Sequence, residues 1–380
     1  MTSSAFNRVP QPRLTSIPSA IAAVADYVPY ARERLDDNAW AYIASGAADE
    51  ITFHANRAAF DALALNTRVL ADVRGGNTAL TLFGQRFAHP ILLAPVAYQR
   101  LAHPDGELAT VQAAAALETG MVVSTLASHT LEDIARHADA PLWFQLYVQP
   151  DRGFTRELVR RAEAAGYSAL VVTVDAPIAG IRNREQRARF QLPEGIGAVN
   201  LRGMAAPAPV PGAASPVFDV LMAHAPAWKD IEDLRAFTRL PLIVKGLLHP
   251  EDASRAFAAG ADGIVVSNHG GRTLDTLPAS LAALPAIVAG VERMGMKGVI
   301  LLDGGIYRGT DVIKALALGA NAVLIGRAWI YGLAAAGALG VAHVLRLLRD
   351  ELEIGMALTG AAHLSDLGKH LIHTRHNPET

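Results

Sequence analysis

A histidine and an arginine stand three residues apart in the run Ser267-Asn268-His269-Gly270-Gly271-Arg272-Thr273-Leu274-Asp275, directly after the apolar segment Gly263-Ile264-Val265-Val266. An imidazole moves a proton near neutral pH, and a guanidinium grips a carboxylate through two parallel hydrogen bonds. The two glycines between them let the backbone bend so that both side chains can face one pocket. The pair therefore suits chemistry next to a carboxylate. A His-Gly-Gly turn standing alone is more often a solvated loop, so the weight falls on what surrounds it.

Several segments share one pattern: an amphipathic stretch, a glycine suited to a helix C-cap, a short link and an apolar strand-like run. It occurs at Gly120 before Met121–Ser124, at Gly166 before Ala169–Thr173, at Gly260 before Gly263–Val266 and at Gly319 before Ala322–Ile325. Ile91–Ala94, Leu142–Leu146, Leu242–Val244 and Val299–Leu302 complete a set of eight. Near-continuous apolar runs are strands buried on both faces, and eight of them with helices between predict an α/β fold, a closed (β/α)8 TIM barrel. The barrel is expected over about residues 90–360 of one domain spanning 1–380. Residues 20–70 read as a helical N-terminal segment. The alternating stretch 77–88 around Phe83-Gly84 reads as a hairpin able to plug the barrel's bottom. After strand four, residues 190–228, with PAPVPGAASP inside them, are too long for an ordinary connection. They read as a lid over the site or a disordered insertion, with the lid favoured.

In such a barrel chemistry sits at the carboxyl ends of the strands. Those ends carry Pro95, Val96 and Ala97 on strand one, Ser124 on strand two, Gln145 and Tyr147 on strand three, and Thr173 and Asp175 on strand four. Lys245 follows on strand five, Ser267, His269 and Arg272 on strand six, Asp303-Gly304-Gly305 on strand seven, and Gly326-Arg327 on strand eight. Any one of them fits a surface or packing role, but so many on one face do not. Glycine amides after strands seven and eight suit a phosphate. Ser124, Gln145 and Thr173 suit the polar atoms of a flat heteroaromatic ring, and Lys245 suits the charge such a ring gathers on reduction. Phosphate plus redox ring points to FMN. No GxGxxG stands between a strand and a helix, so the dinucleotide-binding reading loses.

Composition narrows the classes. With 380 residues, 51% of them hydrophobic, the chain can bury a large core. A net charge of -2 gives no pull toward nucleic acid or an anionic membrane. The absence of cysteine removes disulfides, thiolate metal sites and cysteine nucleophiles, and no metal site is expected. The N-terminus lacks an apolar core of signal-peptide length, and the apolar run after Leu316 is broken by Asn321 and Arg327. A soluble, cytoplasmic protein is expected.

At these positions the chain resembles the FMN-dependent α-hydroxy acid oxidase and dehydrogenase family, which includes glycolate oxidase, lactate oxidase and the hydroxymandelate enzymes. The resemblance runs from about Tyr42 to Gly360. It is carried by Ala44-Ser45-Gly46-Ala47, Phe144-Gln145-Leu146-Tyr147, Thr173-Val174-Asp175, Val244-Lys245-Gly246, the Ser267 to Asp275 run and Asp303-Gly304-Gly305. It implies that His269 is the catalytic base and Asp175 its partner. It implies that Arg182 and Arg272 clamp a substrate carboxylate with help from Tyr42, and that Tyr147 bonds the substrate hydroxyl. From the residues alone, Tyr42 reads as a helix interior and Arg182 as a solvated loop charge.

The implied reaction is FMN-dependent oxidation of an (S)-2-hydroxy acid to the 2-oxo acid, by hydride transfer or through a carbanion. Ala97 matches the oxidase members, favouring O2 as acceptor with H2O2 as product; a quinone-linked dehydrogenase is the alternative. An FMN-dependent isomerase or a non-enzymatic flavin binder remains open as another class. The family also implies a homo-oligomer, a tetramer. Two positions depart from it. Tyr307, followed by Arg308, stands where the family usually has a phosphate-contacting arginine, which leaves Arg327 and backbone amides for that task. Leu126 stands where glycolate oxidase-like members have tryptophan, giving room for a substrate larger than glycolate.

Overall fold

The computed structural model describes residues 9–205 and 212–374. Eight parallel strands, Ile91–Leu93, Met121–Ser124, Leu142–Leu146, Ala169–Thr173, Leu242–Leu247, Gly263–Val266, Val299–Asp303 and Ala322–Ile325, close into a barrel in chain order. Closure comes from the eighth strand pairing with the first, Leu324 lying opposite Leu92. The period of two along each strand explains why the runs are apolar throughout. Leu92, Val122, Trp143, Val171, Ile243, Val265, Leu301 and Leu324 fill the barrel interior. Their neighbours, among them Leu93, Val123, Phe144, Leu170 and Val244, pack outward beneath the helices.

Strand five runs farther than its apolar stretch predicts, to Leu247, through a register shift between Lys245 and Leu247. Gly246, with φ +111°, sits in that irregularity. The strand therefore carries Lys245 into the mouth of the barrel.

The predicted hairpin forms from Leu80–Leu82 and Gln85–Phe87. Phe83 and Gly84 both have positive φ, the geometry of a tight turn whose twist matches the two strands. Phe83 and Phe87 set their rings edge-on to Trp143 at 5.7 and 6.1 Å, closing the bottom of the barrel. The expected helical segment 20–70 holds helices Tyr27–Arg34, Asp37–Ala44 and Ile51–Asp61, but not to its end. Leu63–Leu65 is instead a strand, antiparallel to Ile372–Thr374. Its partner lies at the other end of the chain, beyond the reach of any local pattern.

The insertion after strand four docks beside the barrel. Asn200 is buried, accepting from Leu131 N and donating to His129 O, and Val199 N donates to Ala127 O. Arg152 joins its far end through Asp230 and the carbonyl of His224. Part of the expected lid, residues 206–211, lies outside the described residues. The helix Arg327–Thr359 is long and apolar enough to cross a membrane, yet 78% of its most apolar window is buried in the protein. Non-helical angles at Ala336 and Gly337 fold it into two helices, and Gly332 and Gly340 let their backbones touch.

If the hairpin is held by its aromatic contacts, Trp143→Ala will lower the unfolding free energy by about 3–5 kcal/mol. Urea titration reads this, and a loss under about 1 kcal/mol would contradict the packed plug.

Candidate active site

One cavity of about 490 Å³ opens at the carboxyl ends of the strands. Its wall is built from Tyr42 of the N-terminal helices, Pro95, Val96 and Ala97 after strand one, Ser124 at the end of strand two with Leu126 beyond it, and Gln145 on strand three with Tyr147 just after it. Thr173, Arg182, Lys245, His269, Arg272, Asp303, Gly304, Gly305, Gly326 and Arg327 complete the sequence-predicted set that faces it. Asp175 and Ser267 stand one shell behind, Asp175 on His269 and Ser267 on both Lys245 and the His269 amide. No described residue of 190–228 lines the cavity; the insertion contributes Phe190, stacked on Tyr42 at 4.8 Å.

His269, Gly270 and Gly271 occupy the left-handed region in succession, with φ of 58°, 63° and 74°. For a histidine that conformation costs on the order of 1–2 kcal/mol, so the surroundings must hold it. Ser267 Oγ accepts from His269 N at 3.0 Å, and Asn268 Oδ1 accepts from Gly271 N at 3.1 Å. Asn56 and Asn268 exchange amide hydrogen bonds at 2.8 and 2.9 Å, and Gly271 O accepts from Ala47 N.

His269 Nδ1 lies 3.0 Å from Asp175 Oδ1. An ionised carboxylate only accepts, so Nδ1 carries the hydrogen, and in the neutral imidazole Nε2 is the nitrogen left to take a proton. Tyr147 Oη is 3.5 Å from that Nε2. Burial opposes the charge on Asp175, but His269 and then Lys245 outweigh it and hold the carboxyl below its usual range. Gly246 makes the approach possible, since a Cβ there would lie 2.5 Å from the Cβ of Asp175.

Arg272 Nη1 donates to the carbonyls of Tyr42 at 2.8 Å and Ser45 at 2.7 Å, and its guanidinium lies 5.1 Å over the Tyr42 ring. Burial pushes Arg272 down to about 9, with Arg182 and Arg327 adding like-charge repulsion. Burial also raises the Tyr42 phenol, against the pull of Arg272 and Arg182. Tyr42 thus stays a neutral donor beside two cations.

Lys245 Nζ donates to Asp303 Oδ2 and to Ser267 Oγ, each at 2.8 Å. Burial lowers its affinity for a proton, but Asp303 and Asp175 more than restore it, so the ammonium is kept. Gln145 Oε1 accepts from Ser124 Oγ and Thr125 N, while Gln145 Nε2, Thr173 Oγ1, Asp303 Oδ1 and Arg327 Nε are buried without a protein partner. Folded interiors leave few such atoms, and here several share the wall of one cavity. A polar ligand accounts for them. Amide, hydroxyl and ammonium groups at strands two to five, with Gly304, Gly305 and Arg327 at the other end, fit the ring and phosphate of FMN.

The wall at that other end also holds Tyr307, Arg57 and Arg308. Arg57 and Arg308 add two guanidinium groups to the Arg327 and amides expected there. Arg57 binds both oxygens of Asp311, at 2.5 and 2.7 Å, and Gly305 O at 2.8 Å; Arg308 pairs with Asp61. Nothing in the sequence singles Arg57 out from the solvated face of its helix.

Residues 31–374 match the family described as FMN-dependent dehydrogenase. The chain is 51% identical to an L-lactate oxidase from Alicycliphilus denitrificans, over 92% of this chain and 96% of that protein. It is 42% identical to glycolate oxidase 1 of Zea mays, over 93% and 96% respectively. A solved structure of mandelate oxidase with (S)-2-phenylpropionate superposes with a TM-score of 0.84 at 40% identity, over 93% of this chain and 98% of that one.

Asp175→Asn removes the charge that favours an imidazolium and lets the side-chain amide donate to Nδ1. Substrate-driven flavin reduction should fall about 10²- to 10⁴-fold with FMN still bound. A near-normal rate in stopped flow would refute the pairing. Arg327→Ala should weaken FMN binding to the apoprotein by on the order of 10- to 100-fold, and riboflavin binding much less. Equal losses for both flavins, read by fluorescence titration, would show that Arg327 does not meet the phosphate.

Proposed function

The chain belongs to the FMN-dependent dehydrogenase family, and we propose that it oxidises (S)-2-hydroxy acids to 2-oxo acids with O2 as acceptor, L-lactate being the preferred substrate. The observation that carries this is His269, held through Nδ1 by Asp175 with Nε2 toward Tyr147, in one cavity with two partly buried guanidinium groups. That combination suits a substrate bearing an exchangeable proton beside a carboxylate.

Arg182 and Arg272 grip the carboxylate, and the planar fork of each guanidinium fixes its direction as well as its charge. The Tyr42 phenol adds a donor to the same group. Tyr147 bonds the substrate hydroxyl and then the ketone that forms from it. His269 Nε2 takes a proton, from the hydroxyl in the hydride route or from C2 in the carbanion route, and the same base and clamp serve both. Asp175 favours the resulting imidazolium. FMN would be held by the residues named above and would supply the two-electron acceptor; O2 would take those two electrons with two protons to give H2O2. Lys245 keeps a positive charge at the ring end of the cavity, where charge gathers on reduction.

Two features support an aliphatic substrate and oxygen. Leu126 lines the cavity with a branched alkyl group, and Ala97 leaves only a methyl at the strand-one wall. The higher identity to an L-lactate oxidase than to the glycolate and mandelate enzymes points the same way.

The test is a substrate panel followed by O2 uptake and H2O2 yield. L-Lactate should exceed glycolate in kcat/KM by about 10- to 200-fold, the value of one buried methyl group, with one H2O2 formed per O2 consumed. Glycolate as the best substrate would overturn the pocket reading. Reduction by lactate without O2 uptake would overturn the oxidase reading.

A further inference from the structure

Arg182 and Arg272 line the cavity, whereas Glu185, in the short helix Asn183–Ala188, does not. One oxygen of that carboxylate, Oε1, accepts from Arg182 Nη1 at 2.9 Å and from the Ser45 hydroxyl at 3.2 Å, and pairs with Arg272 Nη2 at 3.4 Å. Ser45 acts from both ends, its carbonyl accepting from Arg272 Nη1 at 2.7 Å and from Arg327 Nη2 at 2.5 Å. Arg182 Nε donates to Arg272 O at 3.3 Å, so the backbone of one clamp residue steadies the side chain of the other. A single carboxylate thus joins the two clamp arginines behind the wall.

Two guanidinium groups this close repel each other, and each has a long stem with many rotamers. An anion touching both removes the repulsion and fixes the plane of each fork. Each fork has more donors than these contacts use, which leaves some for a ligand. The same anion has a second effect. A substrate or product carboxylate bound to the same two guanidinium groups from the cavity side would face Glu185 across them, and a like charge there weakens its hold.

Resting on the hydroxy-acid reading above, we infer that Glu185 is the positioning residue of the carboxylate clamp: it aims Arg182 and Arg272 and limits how tightly they retain an anion. Orientation serves the oxidation step, and the weakened hold serves release of the 2-oxo acid. The substrate is gripped in one direction without being trapped.

The test compares the wild-type holoenzyme with Glu185→Gln, Glu185→Asp and Ser45→Ala. One measurement is the limiting rate of anaerobic flavin reduction by L-lactate. The other is calorimetric affinity for oxalate, a planar dicarboxylate with no C–H bond to oxidise. Glu185→Gln should bind oxalate tighter by on the order of tenfold, because a like charge is gone. Its limiting reduction rate should fall on the order of tenfold or more, because the forks are no longer aimed. Glu185→Asp should return both values toward wild type. Ser45→Ala keeps the Glu185 charge and loses only the hydroxyl that helps to aim it, so it should lower the limiting reduction rate by less and leave oxalate affinity near the wild-type value; an unchanged reduction rate in this variant overturns the aiming role even where the glutamine variant does not fold. Oxalate affinity that is unchanged or weaker in Glu185→Gln overturns the inference, since merely structural damage loosens substrate and oxalate together. Wild-type flavin that no 2-hydroxy acid reduces overturns the proposed function itself, a separate result from an unshifted oxalate affinity in an enzyme that lactate does reduce.

Discussion

The mouth of this barrel buries positive charge, and most of the surrounding structure answers that constraint. Arg182, Arg272, Arg327 and Lys245 share one cavity wall. Removing such groups from water costs several kcal/mol each unless acceptors meet them. The acceptors come from distant parts of the chain: carbonyls of Tyr42 and Ser45 from the N-terminal segment, Gly270 O from the loop after strand six, Glu185 from the short helix Asn183–Ala188 and Asp303 from strand seven. The helices before the barrel are therefore part of the site, because two of the arginines end on the carbonyl of Ser45.

The same constraint governs His269. His269 is left-handed, and its hold depends on Ser267, Asn268 and the Asn56 amide that reaches in from the N-terminal helices. Strain at one residue is over-determined by its neighbours, which leaves Nε2 fixed before any ligand arrives. Gly246 and the register shift beside it let strand five bring Lys245 to the cavity wall while leaving space for Asp175. Irregular backbone thus falls where side chains must be aimed, and the rest of the barrel is regular.

The barrel was legible because strands buried on both faces give unbroken apolar runs, and the parallel connections put every carboxyl end on one side. Once that is known, Gln145, Thr173, Lys245, His269 and Asp303 must converge, whatever the details of packing. Tyr42 and Arg182 were legible only through family resemblance, since a helix interior and a loop charge carry no local signal. The strand Leu63–Leu65 escaped notice because its partner, Ile372–Thr374, lies at the far end of the chain. Arg57 escaped because an arginine on an amphipathic helix looks solvated until Asp311 and Gly305 are seen against it.

By itself, then, the sequence determined the barrel, its order of strands and the chemical types gathered at its mouth, because periodicity and strand-end position depend only on local residue order. The tertiary structure decided which atoms are spent and which are left over. Asp175 on Nδ1 selects the tautomer of His269, Asp303 and Ser267 occupy Lys245, Glu185 occupies part of Arg182 and Arg272, and the Ser45 carbonyl occupies part of Arg272. Gln145 Nε2, Thr173 Oγ1 and Arg327 Nε remain without a protein partner. Hydrogen bonds have direction and a reach of about 3 Å, so those assignments follow from packing across the fold and not from residue order along the chain.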